Sequence, residues 1–181
     1  MHFRTRQQFP FPLAELWRAC SEPDYLRRKY EAMHDTATRV ERFTADARRI
    51  DVRLERHVAL GALALPKWLR HVGPLPDGLR QQSTWERTGP DHADVRMVVE
   101  VPGLPVHVEG AGELRQVAAG TELALAWDAD CTMPLVGPAA ERAMAALVRQ
   151  ALRRDRSFTV AYVQQWQAEG GARKGRKRRS A

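Results

Sequence analysis

Polar and apolar positions alternate along most of this chain, and the alternation gives way to helical spacing near the start and near the end. Residues 2–9 put Phe3, Thr5, Gln7 and Phe9 on one face of a strand and His2, Arg4, Arg6 and Gln8 on the other. Pro10 and Pro12 end that strand, and Pro12 suits the opening of a helix. PLAELWRAC then predicts a short amphipathic helix with Leu13, Leu16, Trp17 and Cys20 inward. Ser21, as N-cap, starts a second helix that runs to about Met33 and buries Tyr25, Leu26, Tyr30 and Met33.

Six strands follow, at 37–44, 47–58, 80–88, 92–102, 105–117 and 121–133. Their inward faces carry Ile50, Val52 and Leu54, then Val95, Met97, Val99 and Val101, then Leu123, Leu125, Trp127 and Cys131. Asp46 sits in the tight connection between the first two. Gly110 and Gly112 stand in mid-strand, where glycine marks a bend and withholds side-chain volume. Residues 59–78 break the pattern: apolar residues crowd around Pro66, Pro74 and Pro76, the kind of long irregular segment that often rims a pocket. From Pro138 to about Gln167 there is neither a further proline nor a glycine. Ala140, Met144, Leu147, Ala151, Phe158, Tyr162 and Trp166 recur near one helical face over roughly 45 Å.

The element order is therefore strand, two short helices, six strands and one long helix (β-α-α-β6-α). The economical packing is an α+β domain in which a curved antiparallel sheet of about seven strands wraps around the terminal helix. Residues 1–168 form this domain, and 169–181 form a basic tail whose composition predicts disorder.

Composition changes the picture in two places. The hydrophobic fraction of 44% fills a sizeable core, and the charged fraction of 28% suits a soluble chain. No apolar run reaches the roughly 18 residues of a membrane span, and the first residues lack a secretory apolar stretch, so a cytoplasmic location is expected. The net charge of +7 is not a property of the domain. Arg173, Lys174, Arg176, Lys177, Arg178 and Arg179 account for six of it, leaving +1 for the rest. Those six residues provide for weak, non-specific contact with nucleic acid or an anionic membrane, although no aromatic is interleaved to stack on bases; a solubilising role is the plainer reading. Cys20 and Cys131, in apolar surroundings, read as reduced buried thiols.

With these elements in place the chain resembles the helix-grip superfamily that unites START domains, polyketide cyclases and the birch-pollen allergen (SRPBCC). The resemblance covers about residues 1–168. It rests on element order and on EPDYLRRKY, STWER, VEVPGLPVHVEGAGEL and MPLVGPAAERAMAALV, which are similar to a bacterial family of unknown function within that superfamily. It implies an apolar cavity between sheet and long helix that holds a lipid- or polyketide-like molecule. It brings no catalytic motif with it.

The implied cavity wall comprises Trp85, Met97, Val99, Leu125, Trp127, Met144, Leu147, Val148 and Ala151. Met97, Met133 and Met144 are adaptable liners. The same pattern also fits a solid core. No histidine stands at a metal-ligand spacing, and no nucleophile elbow, phosphate loop or dinucleotide fingerprint occurs, so no catalytic residue, metal or cofactor is expected. Asp128 and Asp130 read as an outward, solvated pair. The expected function is non-catalytic binding of a small hydrophobic or amphipathic ligand, as carrier or sensor. Two alternatives stand beside it. An enzyme of the cyclase or hydratase kind requires a buried titratable side chain in the cavity. A co-chaperone-like interaction module requires a filled core and an apolar patch in 59–78.

Overall fold

The computed structural model of the chain describes residues 1–32, 38–56, 78–133 and 137–179, with side chains as far as Glu169. The expectations for Met33 and for the 59–78 segment as a pocket rim or interaction patch lie outside the described residues, apart from Gly78.

Seven strands form one antiparallel sheet: β1 (His2–Phe9), β2 (Thr38–Ala45), β3 (Arg49–Arg56), β4 (Leu79–Arg87), β5 (His92–Glu100), β6 (Val106–Val117) and β7 (Gly120–Cys131). Their spatial order is β1-β7-β6-β5-β4-β3-β2, a meander whose last strand turns back to pair with the first. The register keeps inward residues in rows. Phe3 pairs with Trp127, Thr5 with Leu125 and Gln7 with Leu123, while Ser83 pairs with both Val52 and Met97. The β2–β3 turn is closed by Asp46, whose Oδ1 accepts from the Arg48 and Arg49 amides at 2.7 Å each.

Helices α1 (Leu13–Cys20) and α2 (Pro23–Ala32) carry the chain from β1 to β2. Ser21 does not cap α2 with its side chain. Its hydroxyl donates back to the Trp17 carbonyl at 2.8 Å, closing the end of α1. Helix α3 (Gly137–Arg179) lies in the concavity. At about 1.5 Å per residue its 43 residues span roughly 65 Å, and its backbone stays helical through the segment for which composition predicts disorder. No proline interrupts it after its first turn, and the Gly170-Gly171 pair only weakens helix propensity without forbidding it.

The inward face of α3 is centred one residue further on than the periodicity suggests. Ala145, Val148, Leu152, Thr159, Tyr162 and Val163 are buried, Met144 and Leu147 sit half-buried on the flank, and Ala151 is exposed. The inward stripe runs 148-152-155-159, and Asp155 and Thr159 hide it from any reading that counts only apolar residues. Asp128 and Asp130 are exposed, as expected, and on the same outer face Arg96 bridges to Glu109 at 2.8 Å across strands.

Gly110 and Gly112 serve the sheet. A Cβ on Gly110 would stand 2.6 Å from the Trp127 ring, and one on Gly112 would stand 2.0 Å from the Ala124 carbonyl oxygen. The volume that glycine withholds is thus filled by an indole in one case and by the neighbouring backbone in the other. A side chain can rotate away but a backbone carbonyl cannot, so Gly112→Ala is expected to cost about 3 kcal/mol in urea denaturation. A loss below about 0.5 kcal/mol would show that β6 and β7 do not approach so closely.

Candidate ligand cavity

Beneath α2 and α3 the concave face leaves a cavity of about 70 Å³. Its apolar wall includes Phe9 of β1, Leu16 of α1, Leu26 of α2, Ile50 and Val52 of β3, Trp85 of β4, Met97 of β5, Leu123 of β7 and Leu152 of α3. Two of the residues expected to form the wall, Trp85 and Met97, line this space. The others do not. Leu125, Trp127 and Val148 are buried in the solid part of the core, Val99 and Met144 pack half-buried against it, Leu147 is half-buried, and Ala151 is exposed. Trp127 explains why that part is solid. Its ring stacks on Phe3 at 5.9 Å, covers Gly110, and donates through Nε1 to Thr5 Oγ1 at 2.8 Å.

The cavity also has a polar side. Lys29 is 9% exposed, and its ammonium donates to Asp155 Oδ2 at 2.7 Å, tying α2 to α3. The Thr159 hydroxyl donates to the Asp155 carbonyl at 2.7 Å. Its single proton is thereby used, so the Tyr25 hydroxyl, 2.7 Å away, is the donor between those two. Gln7 donates its amide to the Leu152 carbonyl, and Gln81, Ser83, Cys20 and Tyr30 complete the polar lining. Aromatic packing braces the cluster: Tyr25 meets Tyr162 edge-on at 5.2 Å and Phe158 at 5.8 Å.

Sequence reasoning passed over Lys29 and Asp155, the two charges at the centre of this site. Both carried a legible signal. Lys29 stands four residues after Tyr25 and three after Leu26, on the buried face of α2. Asp155 stands three after Leu152 and seven after Val148. A charge inside an apolar stripe reads as solvated unless a partner is known, and each is the other's partner across 126 residues.

Three groups of the cavity wall, Cys20, Tyr25 and Lys29, are held protonated. Burial pushes the Cys20 thiol from an ordinary 9.0 up to about 12, with the Tyr25 hydroxyl and the Lys29 charge pulling weakly the other way. Burial also drives the Tyr25 hydroxyl well upward, helped by Cys20 and Asp155. For Lys29, burial opposes the charge, but attraction to Asp155 and Tyr30 and the hydrogen bond to Asp155 outweigh it and raise its pKa. Cys20 and Cys131 are both free and buried. Among the described residues no group of three or more His, Cys, Asp or Glu side chains is placed to hold a metal, and no helix is long and apolar enough to cross a membrane.

A seven-stranded antiparallel sheet gripping one long helix, with a polar-headed cavity between them, is a helix-grip fold. The chain belongs to the family described as a protein of unknown function (DUF2505), whose model matches residues 4–163. No curated protein matches it. Among solved structures it is similar to TTHA0849 from Thermus thermophilus, with TM-score 0.56, 15% identity, and coverage of 91% of this chain and 98% of that one. It is also similar to a conserved protein from Geobacillus kaustophilus, with TM-score 0.54, 11% identity and coverage of 91% and 96%. The di-domain ARO/CYC StfQ of the steffimycin biosynthetic pathway matches with TM-score 0.55 and 10% identity, over 92% of this chain and 52% of StfQ. Identities this low establish the shared fold.

A group that the fold keeps protonated stabilises fully below its unfolded pKa and loses that contribution as pH rises toward its folded pKa. Cys20, Tyr25 and Lys29 all shift upward, so stability is expected to hold to about pH 9 and then decline, with a slope approaching about 1.4 kcal/mol per pH unit for one group. In Cys20→Ser the decline should begin about one pH unit later, where Tyr25 and Lys29 take over. Urea midpoints measured from pH 7 to 11 check this, and a profile flat between pH 9 and 10 in the unaltered chain would contradict it.

Proposed function

We propose that this domain binds a small amphipathic molecule, as a carrier or sensor, with its apolar part among Leu16, Val52, Met97 and Leu123 and its polar end toward Lys29 and Asp155. The observation that carries this reading is the division of one cavity wall into a broad apolar surface and a single cluster of polar groups, the usual composition of a small-molecule site. A core evolved only for stability gains little from a buried ion pair, since apolar residues of similar volume stabilise as well or better. The helix-grip fold shared with StfQ supports the same reading at the level of fold.

The resting volume bounds the ligand. About 70 Å³ is roughly half of a cavity that holds benzene, so anything larger enters by moving side chains. Met97 and Gln81 are unbranched and shift at low cost. A lipid- or polyketide-sized ligand therefore implies an opened state of the same site.

A catalytic role of the cyclase or hydratase kind is favoured by one observation, the titratable groups in the cavity wall. The protonation of Cys20, Tyr25 and Lys29 weighs against it. A thiol titrating at about 12, a tyrosine held neutral and a lysine held charged are poorly placed to exchange protons or attack near neutral pH. Binding without chemistry is the reading that fits these groups.

Met97→Trp places an indole in the cavity and is expected to cost about 1–3 kcal/mol by overpacking while leaving the domain folded. Native mass spectrometry of the protein purified from its own host should show a discrete added mass that this variant lacks. A bare protein mass for the unaltered chain, or a retained adduct on folded Met97→Trp, would contradict the proposal.

A further inference from the structure

We infer that the cavity selects an uncharged amphiphile, with a hydroxyl, ketone, ester or amide head, over a carboxylate or an ammonium of the same length. This rests on the binding reading above and names the ligand class for that site. Lys29 and Asp155 already neutralise each other at 2.7 Å, so the polar side of the cavity carries no net charge. Arg56 stacks over the Tyr30 ring at 5.3 Å and does not line the cavity. A third charge brought here is desolvated without a counter-ion, which is the costly case. A carboxylate pairs with Lys29 only by competing with Asp155, and an ammonium pairs with Asp155 only by competing with Lys29.

Hydrogen-bonding capacity points the same way. The Lys29 ammonium carries three hydrogens, of which one meets Asp155 Oδ2. The Ser83 hydroxyl, on a residue only 7% exposed, and the Gln81 amide line the same cavity and add groups that both donate and accept. The site therefore offers donors and acceptors together with no net charge. A neutral head that both donates and accepts, above all a hydroxyl, satisfies them without disturbing the ion pair.

Isothermal titration calorimetry with 1-hexanol, hexanoate and hexylamine at pH 7 tests the assignment. The unaltered chain is expected to bind hexanol at least about tenfold tighter than either ion. Asp155→Asn leaves Lys29 as an unpaired cation and is expected to reverse the order, with hexanoate tightest. Because that variant destabilises α2 against α3, the double variant Lys29→Met/Asp155→Leu provides a neutral, folded control, expected to bind hexanol at least about tenfold more weakly than the unaltered chain. Hexanoate or hexylamine binding as tightly as hexanol in the unaltered chain would overturn the inference while leaving the binding reading intact. So would undiminished hexanol binding by the double variant. Failure of all three probes to bind the unaltered chain would overturn the binding reading itself.

Discussion

The packing of this domain turns on one ion pair, between a buried Lys29 and a half-buried Asp155. Helix α3 presents Asp155, half-buried, to the polar side of the cavity. Lys29 of α2 meets it at 2.7 Å, and Thr159 and Tyr25 complete a hydrogen-bonded cluster around it. That cluster fixes where α2 sits on α3. It also holds the two helices over the sheet so that Leu26 and Leu152 roof a space the strands do not fill. The cavity is the consequence of an interior that contains polar groups needing partners and has been shaped to provide them.

The sheet supplies the other constraint. To wrap a helix it must bend, and the close approach of β6 to β7 at Gly112 leaves no room for a Cβ. At Gly110 the room goes to the Trp127 ring, which with Phe3 and Thr5 makes the end of the concavity solid. Solid packing at one end and a polar-sided space at the other divide the interior into a filled half and a hollow half.

Much of this was legible in the chain. Alternation at Phe3-Thr5-Gln7-Phe9 and at Val95-Met97-Val99 located strands and their inward faces, and the element order implied the grip of sheet on helix. Trp85 and Met97 could be placed inward on that basis, and both line the cavity. What alternation could not show is depth along a strand. Leu125 and Trp127 point the same way as Leu123, yet only Leu123 reaches the cavity, because depth depends on register between strands distant in sequence. The helix face was misjudged at Ala151 for a chemical reason. Its true stripe contains Asp155, and a carboxylate counts as buried only once Lys29, more than a hundred residues away, is known to meet it.

The account is tested most directly by locating a bound molecule. Methyl ¹H–¹³C NMR spectra recorded while 1-hexanol is added should show saturable shifts confined to the cavity wall (Leu16, Leu26, Ile50, Val52, Met97, Leu123 and Leu152), with Leu13, Leu54 and Leu114, fully buried elsewhere in the core, left unmoved. Shifts spread over surface methyls, or none at all with the protein folded, would contradict a ligand site between α2, α3 and the sheet.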